Sequence, residues 1–204
     1  MRARPVGEHA LLLEVDDADQ LRALAAHVAA LRQTPELACL TDVVPGARTL
    51  LLDGLDDPGA TAETVHAWVL PPVPATAGGL VELDVVYDGD DLPAVAQRWG
   101  LDVAAAAARH AALTHTVAFC GFAPGFAYMS GLPGELAVPR RDTPRPRVPA
   151  GAVALAGTYT GIYPRPSPGG WQLIGHTDAR LWDADRDPPA LLVPGTQVRI
   201  RAIT

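Results

Sequence analysis

The chain has 204 residues, 49% of them hydrophobic and 19% charged, which is enough apolar material for a real core and the reverse of a disordered composition. Sixteen basic residues stand against 23 acidic ones, a net charge of −7, so neither nucleic acid nor an anionic membrane is an expected partner. All sixteen basic residues are arginine, and neither lysine nor asparagine occurs, which removes a lysine Schiff base, a phosphate-binding loop ending in G-K-[ST], and N-glycosylation.

Met1 leads into Arg2, Arg4 and Glu8 with no apolar h-region, and no stretch approaches the roughly 18 apolar residues of a membrane span, so a cytoplasmic, soluble protein is expected. His9–Val15 reads as a strand, and Asp17 or Asp19 as the cap of a helix whose apolar positions Leu21, Leu24, Ala25, Val28 and Leu31 follow the helical period. Leu37–Val44 reads as a strand, Pro45-Gly46 as a turn and Thr49–Leu52 as its hairpin partner. A second helix is expected from about Ala60 to Val69, giving the order β-α-β-β-α. Cys39 and Cys120 both lie in apolar runs and read as small core residues. The prolyl cluster from Pro71 into Gly78-Gly79 reads as a linker, which divides the chain into domains over 1–76 and 77–204.

Beyond the linker, Leu80–Tyr87 alternates as a strand. Two short helices follow, the first capped by Asp91 and closed by Gly100, the second capped by Asp102 over Val103–Ala112. The outline is that of a DNA-binding helix-turn-helix, but with Arg98 and Arg109 as its cations it reads better as a helical pair plugging one side of a barrel. Residues 121–204 hold 12 of the 20 prolines and 11 of the 19 glycines between short apolar runs, which argues for an antiparallel barrel or sandwich.

Several chemistries lack their residues. Ser130 and Ser167 are the two serines and neither sits in G-x-S-x-G, there is no H-E-x-x-H, and the six histidines are scattered, so no metal site is expected. What remains is a set of Gly/Pro loops rich in aromatic and polar side chains. Gly121–Tyr128 alternates Phe122, Phe126 and Tyr128 with glycines that permit unusual backbone angles, Gly125 among them, beside Pro124. Pro139–Pro149 carries Arg140, Arg141, Arg145 and Arg147, bidentate grips for carboxylate or phosphate. Tyr159, Tyr163, Ser167, Gly169, Gly170 and Trp171 form the third loop, and Ile174–Thr177, with His176, the fourth. Together they predict an arginine-bearing cleft at a barrel mouth.

Seven segments occur in an order that resembles one family: GFAPGFAY at 121–128, Pro139-Arg140 with Pro144-Arg145, RVPAG at 147–151, GIYP at 161–164, SPGGW at 167–171, Ile174-Gly175 with Thr177, and LVPG at 192–195 with Val198-Arg199. The chain is similar, over nearly its whole length, to the KipI family, also called allophanate hydrolase subunit 1 or the 5-oxoprolinase B subunit (PxpB). The resemblance implies an α+β protein with a small N-terminal α/β (ferredoxin-like) domain and a C-terminal cyclophilin-like antiparallel β-barrel. It implies two protein partners, a KipA-like C subunit (allophanate hydrolase subunit 2) and a homologue of the A subunit, and a small lactam or amide as substrate. The implied activity is that of one component, inactive alone, of a complex that opens 5-oxoproline to L-glutamate with ATP and magnesium, neither held by this chain. Two other family activities stay open: a carboxyltransferase half-module of a urea carboxylase or allophanate-type system, and a KipI-like inhibitor of a sensor histidine kinase. A carboxyltransferase would need a separate biotin carrier, since a chain without lysine cannot carry biotin.

The residues assigned roles on this basis are Arg140, Arg147 and His176 as catalytic groups around anionic oxygens. Phe122, Pro124, Gly125, Phe126, Tyr128, Arg145, Tyr159, Tyr163, Ser167, Gly169, Gly170 and Trp171 are assigned to substrate binding. His176 stands where the family usually has arginine in I-G-R-T, so its charge varies with pH near neutrality.

Overall fold

The computed structural model describes residues 1–72 and 79–203. The expected linker falls mostly on 73–78, outside the described residues. The chain divides into two compact units, Met1–Ala75 and Thr76–Thr204.

The first unit runs β1 (Arg2–Val6), β2 (Ala10–Glu14), α1 (Ala18–Leu31), β3 (Asp42–Pro45), β4 (Thr49–Asp53) and α2 (Pro58–Thr64). Its sheet is antiparallel in the order β1-β2-β4-β3. Alternation puts Leu11, Leu13, Leu50 and Leu52 on the buried face, where they meet Leu21, Leu24 and Val28 of α1. Asp17 caps α1 by accepting from Gln20 N at 2.8 Å, and Asp57 caps α2 by accepting from Ala60 N at 2.9 Å.

Four details of this unit differ from the sequence reading. β1 is an additional strand, an exposed edge whose Arg-Ala-Arg-Pro-Val composition shows no apolar alternation. The strand expected from Leu37 begins at Asp42 instead, because Leu37 and Leu40 sit in a turn and fill the core from there. α2 ends at Thr64 and passes into a single 3-10 turn, Val65–Ala67, so Trp68 and Val69 are not helical. Cys39 is exposed rather than buried, whereas Cys120 is partly buried against the core of the second unit.

The second unit runs β5 (Leu80–Val86), α3 (Leu92–Trp99), α4 (Val103–Ala111), β6 (Thr114–Cys120), β7 (Ala127–Ser130), β8 (Arg145–Val148), β9 (Ala152–Ala156), β10 (Tyr159–Ile162), β11 (Ser167–Gly169), β12 (Gln172–His176) and β13 (Gln197–Ile203). Seven strands close into a barrel in the order β10-β7-β6-β13-β5-β12-β9, and β8 and β11 form a separate two-stranded sheet. The barrel is mixed rather than wholly antiparallel, because β5 and β13 pair in parallel over their full length. Its interior holds Leu83, Val85, Val117, Met129, Val153, Leu155, Ile162, Ile174, Val198 and Ile200. Leu92, Val95 and Ala96 of α3 and Ala106 of α4 join that core, so the helical pair packs on the barrel as expected. Gly100 closes α3 in the left-handed conformation, φ 68°, which glycine adopts at little cost. No helix among the described residues is long and apolar enough to cross a membrane.

Candidate functional site: an aromatic pocket on the barrel wall

β9 is buried at all five positions because it is covered on both faces. Val153 and Leu155 point into the barrel, while Ala152, Ala154 and Ala156 belong to a second apolar cluster with Phe126, Val148, Tyr163, Trp171 and Leu173. Strand alternation requires this second cluster to lie on the outer wall of the barrel. The same alternation on β7 sends Met129 inward and Tyr128 outward. The cleft is therefore on the wall and not at the barrel mouth. The alanines of β9 and Gly161 of β10 leave the depth that a layer of aromatic rings fills.

A β-bulge extends that layer. β6 pairs Val117 with Met129 and then Phe119 with Tyr128, so one residue of β6 is unmatched between them. Without the extra residue Phe119 would share the inward face of Val117; with it, Phe119 stacks on Tyr128 at a centroid distance of 4.3 Å and 16° between planes. Phe126 lies at the centre, edge-on to Tyr163 at 5.4 Å, Trp171 at 5.5 Å and Phe122 at 5.2 Å. Phe122 stands apart: it is 60% exposed and is the one non-glycine residue with positive φ, 68°, among the described residues. A bulky side chain held in that conformation stores backbone strain, which collects at functional sites.

The resulting pocket, of about 300 Å³, is lined by Phe122, Phe126, Tyr128, Arg140, Ala156, Gly157, Tyr159, Tyr163, Pro168, Gly169 and Trp171. Arg140 is the one charged residue in that wall. It forms no ion pair among the described residues. Burial pushes the Tyr163 and Tyr128 hydroxyls above their ordinary pKa, against the opposing pull of the Arg140 charge. Both are therefore neutral at physiological pH and able to donate a hydrogen bond. The arrangement suits a small ring bearing one negative charge: ring faces for its body, a guanidinium for its anion, hydroxyls for its polar edge.

Eight of the residues expected at the site thus meet in one wall: Phe122, Phe126, Tyr128, Arg140, Tyr159, Tyr163, Gly169 and Trp171. Seven others stand elsewhere. Arg145 is drawn into an ion pair with Asp91 at 2.8 Å. Arg147 is exposed on β8, away from the pocket lining. Pro124 is exposed, and Gly125, with φ 84°, packs against Trp182. Ser167 and Gly170 flank the lining without joining it, and the Ser167 hydroxyl is buried with no hydrogen-bond partner among the described residues. His176 lines a different cavity, of about 340 Å³, where Glu82, Asp84 and Asp178 outnumber Arg201, and its Nδ1 pairs with Asp88 at 2.8 Å. Those surroundings repel an anion, so His176 is not placed to grip one together with Arg140. Ala156 and Gly157 carry no signal in the sequence that marks them for the site, and Phe119 joins the aromatic layer beside it, against Tyr128, through a bulge that no pattern in the sequence announces.

Asp91 also differs from its expected role. It makes no side-chain cap on α3; its carboxylate takes Arg141 Nη1 at 2.9 Å, Arg145 Nη2 at 2.8 Å and Leu173 N at 2.7 Å. Burial acts to raise its pKa, but these bonds and the two guanidinium charges outweigh it and hold the carboxyl below the usual range.

The chain has no lysine, the pocket wall carries one cation, and no group of three His, Cys, Asp or Glu side chains that could hold a metal ion is found among the described residues.

The family profile of the carboxyltransferase domain, subdomain C and D, matches residues 1–192. The 5-oxoprolinase B subunit of Escherichia coli O157:H7 is 36% identical over 206 residues, covering 95% of this chain and 92% of that protein. The crystal structure of TTHA0988 superposes with a TM-score of 0.77 at 39% identity over 96% of this chain, which spans 40% of that longer protein. The crystal structure of Kluyveromyces lactis urea carboxylase shares the fold, with a TM-score of 0.73 at 17% identity over 99% of this chain and 22% of that one. The chain belongs to the carboxyltransferase C and D domain family, among whose members it is similar along most of its length to the 5-oxoprolinase B subunit.

Proposed function

We propose that this chain is the B subunit of an ATP-dependent 5-oxoprolinase, which opens 5-oxoproline to L-glutamate together with a KipA-like C subunit and an A subunit, and that it is inactive alone. The observation that carries the reading is the pocket of about 300 Å³ with a single arginine in an aromatic wall. 5-Oxoproline is a five-membered lactam with one carboxylate, a ring of the size and charge such a pocket takes. Arg140 grips the carboxylate, the accessible rings of Phe122, Tyr128 and Tyr159 pack against the lactam over a floor that includes Phe126 and Trp171, and the neutral hydroxyls of Tyr128 and Tyr163 donate toward the lactam oxygen. Net hydrolysis adds water across the ring amide: the carbon–nitrogen bond breaks, the nitrogen leaves as the α-amine and the carbonyl becomes the side-chain carboxylate. An unstrained amide resists that attack, so ATP supplies the driving force when bound elsewhere in the complex. On this chain the work is to bind and orient the lactam for that attack.

The test is glutamate release from 5-oxoproline by the three-component complex of this chain with its C and A partners, with and without ATP. ATP-dependent release that is lost on omitting this chain supports the reading; no release from an assembled, soluble complex removes it. A second reading, a carboxyltransferase half-module acting on a urea-type substrate, draws on the family profile and on the fold shared with urea carboxylase. It predicts instead carboxyl transfer from a biotin-carrying partner, and no glutamate.

A further inference from the structure

Arg140 lies between two anchored neighbours. Pro139 O accepts from Gln172 Nε2 at 3.1 Å, and Arg141 N donates to Gly170 O at 2.7 Å. The side chains on its C-terminal side converge on a single acceptor, Asp91, which is 6% exposed and bonds both Arg141 and Arg145 through Oδ1. Asp91 is itself tied to β12 twice, through Leu173 N to Oδ2 at 2.7 Å and Asp91 N to Leu173 O at 2.9 Å. β8, which begins at Arg145, pairs with β11, where Gly169 opposes Arg145 and forms part of the pocket wall. One buried carboxylate therefore fixes the arginine loop, the strand behind it and the wall beside it. It also occupies the guanidinium groups of Arg141 and Arg145, which leaves Arg140 as the one charged side chain of the pocket wall.

We propose that Asp91 is the positioning residue of this site: by holding Arg141 and Arg145 it presents Arg140 alone to the ligand, and so fits the pocket to a singly charged carboxylate rather than to phosphate. The proposal rests on the reading of the pocket as the lactam site. The energetic logic is that of a pre-oriented charge, in which loss of the orienting group costs binding before chemistry. Loss of the Asp91 charge also leaves Arg141 and Arg145 unneutralised on the segment that carries Arg140, which favours a doubly charged anion.

The experiment uses the assembled three-component complex and compares wild type, Asp91→Asn, Arg141→Gln and Arg140→Ala. For Asp91→Asn we expect the KM for 5-oxoproline to rise about tenfold, roughly 1.4 kcal/mol, with kcat within twofold. Inhibition by inorganic phosphate should strengthen at least threefold, and Asp91→Glu should restore the preference for 5-oxoproline over phosphate. A merely structural role would lower the folded fraction, and with it kcat, and leave KM and the phosphate preference alone. Arg141→Gln removes one ion pair from a partly exposed side chain, so it keeps the test open if Asp91→Asn does not fold; a threefold rise in KM is expected. Unchanged KM and phosphate inhibition in these variants, with a raised KM in Arg140→Ala, overturn the role of Asp91 and leave the pocket reading standing. An unchanged KM in Arg140→Ala overturns both.

Discussion

Gly161 and Trp171 are in backbone-to-ring contact: a Cβ on Gly161 would stand 2.8 Å from Trp171 Cζ3, with Phe126 Cζ at the same distance on its other side. Neither ring can retreat, since Phe126 and Trp171 are 1% and 7% exposed. Gly161→Ala should therefore destabilise the chain by about 1–3 kcal/mol, the usual cost of overpacking. Denaturant unfolding checks the loss, and near-ultraviolet circular dichroism should show the aromatic layer shifted. A variant as stable as wild type would mean that the layer is looser than its geometry.

Arg140 and Arg147 carry equal charge seven positions apart, yet Arg140 lines the pocket and Arg147 does not. Removal of a charged hydrogen bond to ligand costs about 1.5–3 kcal/mol. Arg140→Ala should thus raise the KM for 5-oxoproline by one to two orders of magnitude, while Arg147→Ala should change it less than threefold. Steady-state kinetics on the assembled complex decides between them, and equal effects would remove Arg140 from its assigned place.

The aromatic half of this site is legible in the sequence because Gly/Pro-punctuated motifs carry Phe122, Phe126, Tyr128, Tyr163 and Trp171 together. The arginine half is not, since four cations in eight residues look alike until a carboxylate 50 and 54 positions upstream claims Arg141 and Arg145. Asp91 followed by Leu92-Pro93 has the local form of a helix cap, and tertiary partners override that local preference. The run Val153–Ala156 reads as apolar, but a strand buried on both faces shows no alternation to say which side faces the barrel. Hence the sequence points to a pocket at the mouth, and the structure has it on the wall.

Phe122 combines a left-handed backbone with a ring at the pocket rim. Phe122→Ala and Phe122→Gly lose the same ring contacts, but alanine keeps the Cβ that penalises this conformation by about 1–2 kcal/mol. Phe122→Gly should be the more stable of the two by about 1 kcal/mol, and both should bind 5-oxoproline more weakly than wild type. Paired denaturant titrations and KM values test this. Equal stabilities would mean that the loop relaxes once the ring is gone.

Acid should unfold the second unit through two histidines that the pocket does not use. His110 is buried with Nδ1 against Tyr87 Oη at 2.7 Å and Nε2 against Thr160 Oγ1 at 2.9 Å. His115 is fully buried 4.9 Å from it, and the polar group acting on its ring is the backbone of His110. Burial pushes the pKa of His110 down to about 3 and that of His115 to about 4, from an ordinary 6.5, and His115 adds to the shift on His110. The unfolded chain thus takes up protons below pH 6.5 that the native state refuses until pH 3–4. Stability is full above the unfolded value and falls as pH drops below it, by up to about 1.4 kcal/mol per pH unit for each histidine. Above pH 4.5 Asp91 contributes little, because its ordinary value is 3.8 and its own lies lower. Urea unfolding between pH 7.5 and 4.5 should show this slope, and His115→Leu, which removes one of the two titrations, should roughly halve it. A wild-type slope near zero would show that neither ring is held neutral by the barrel, and a slope that His115→Leu leaves intact would show that the His115 ring is not.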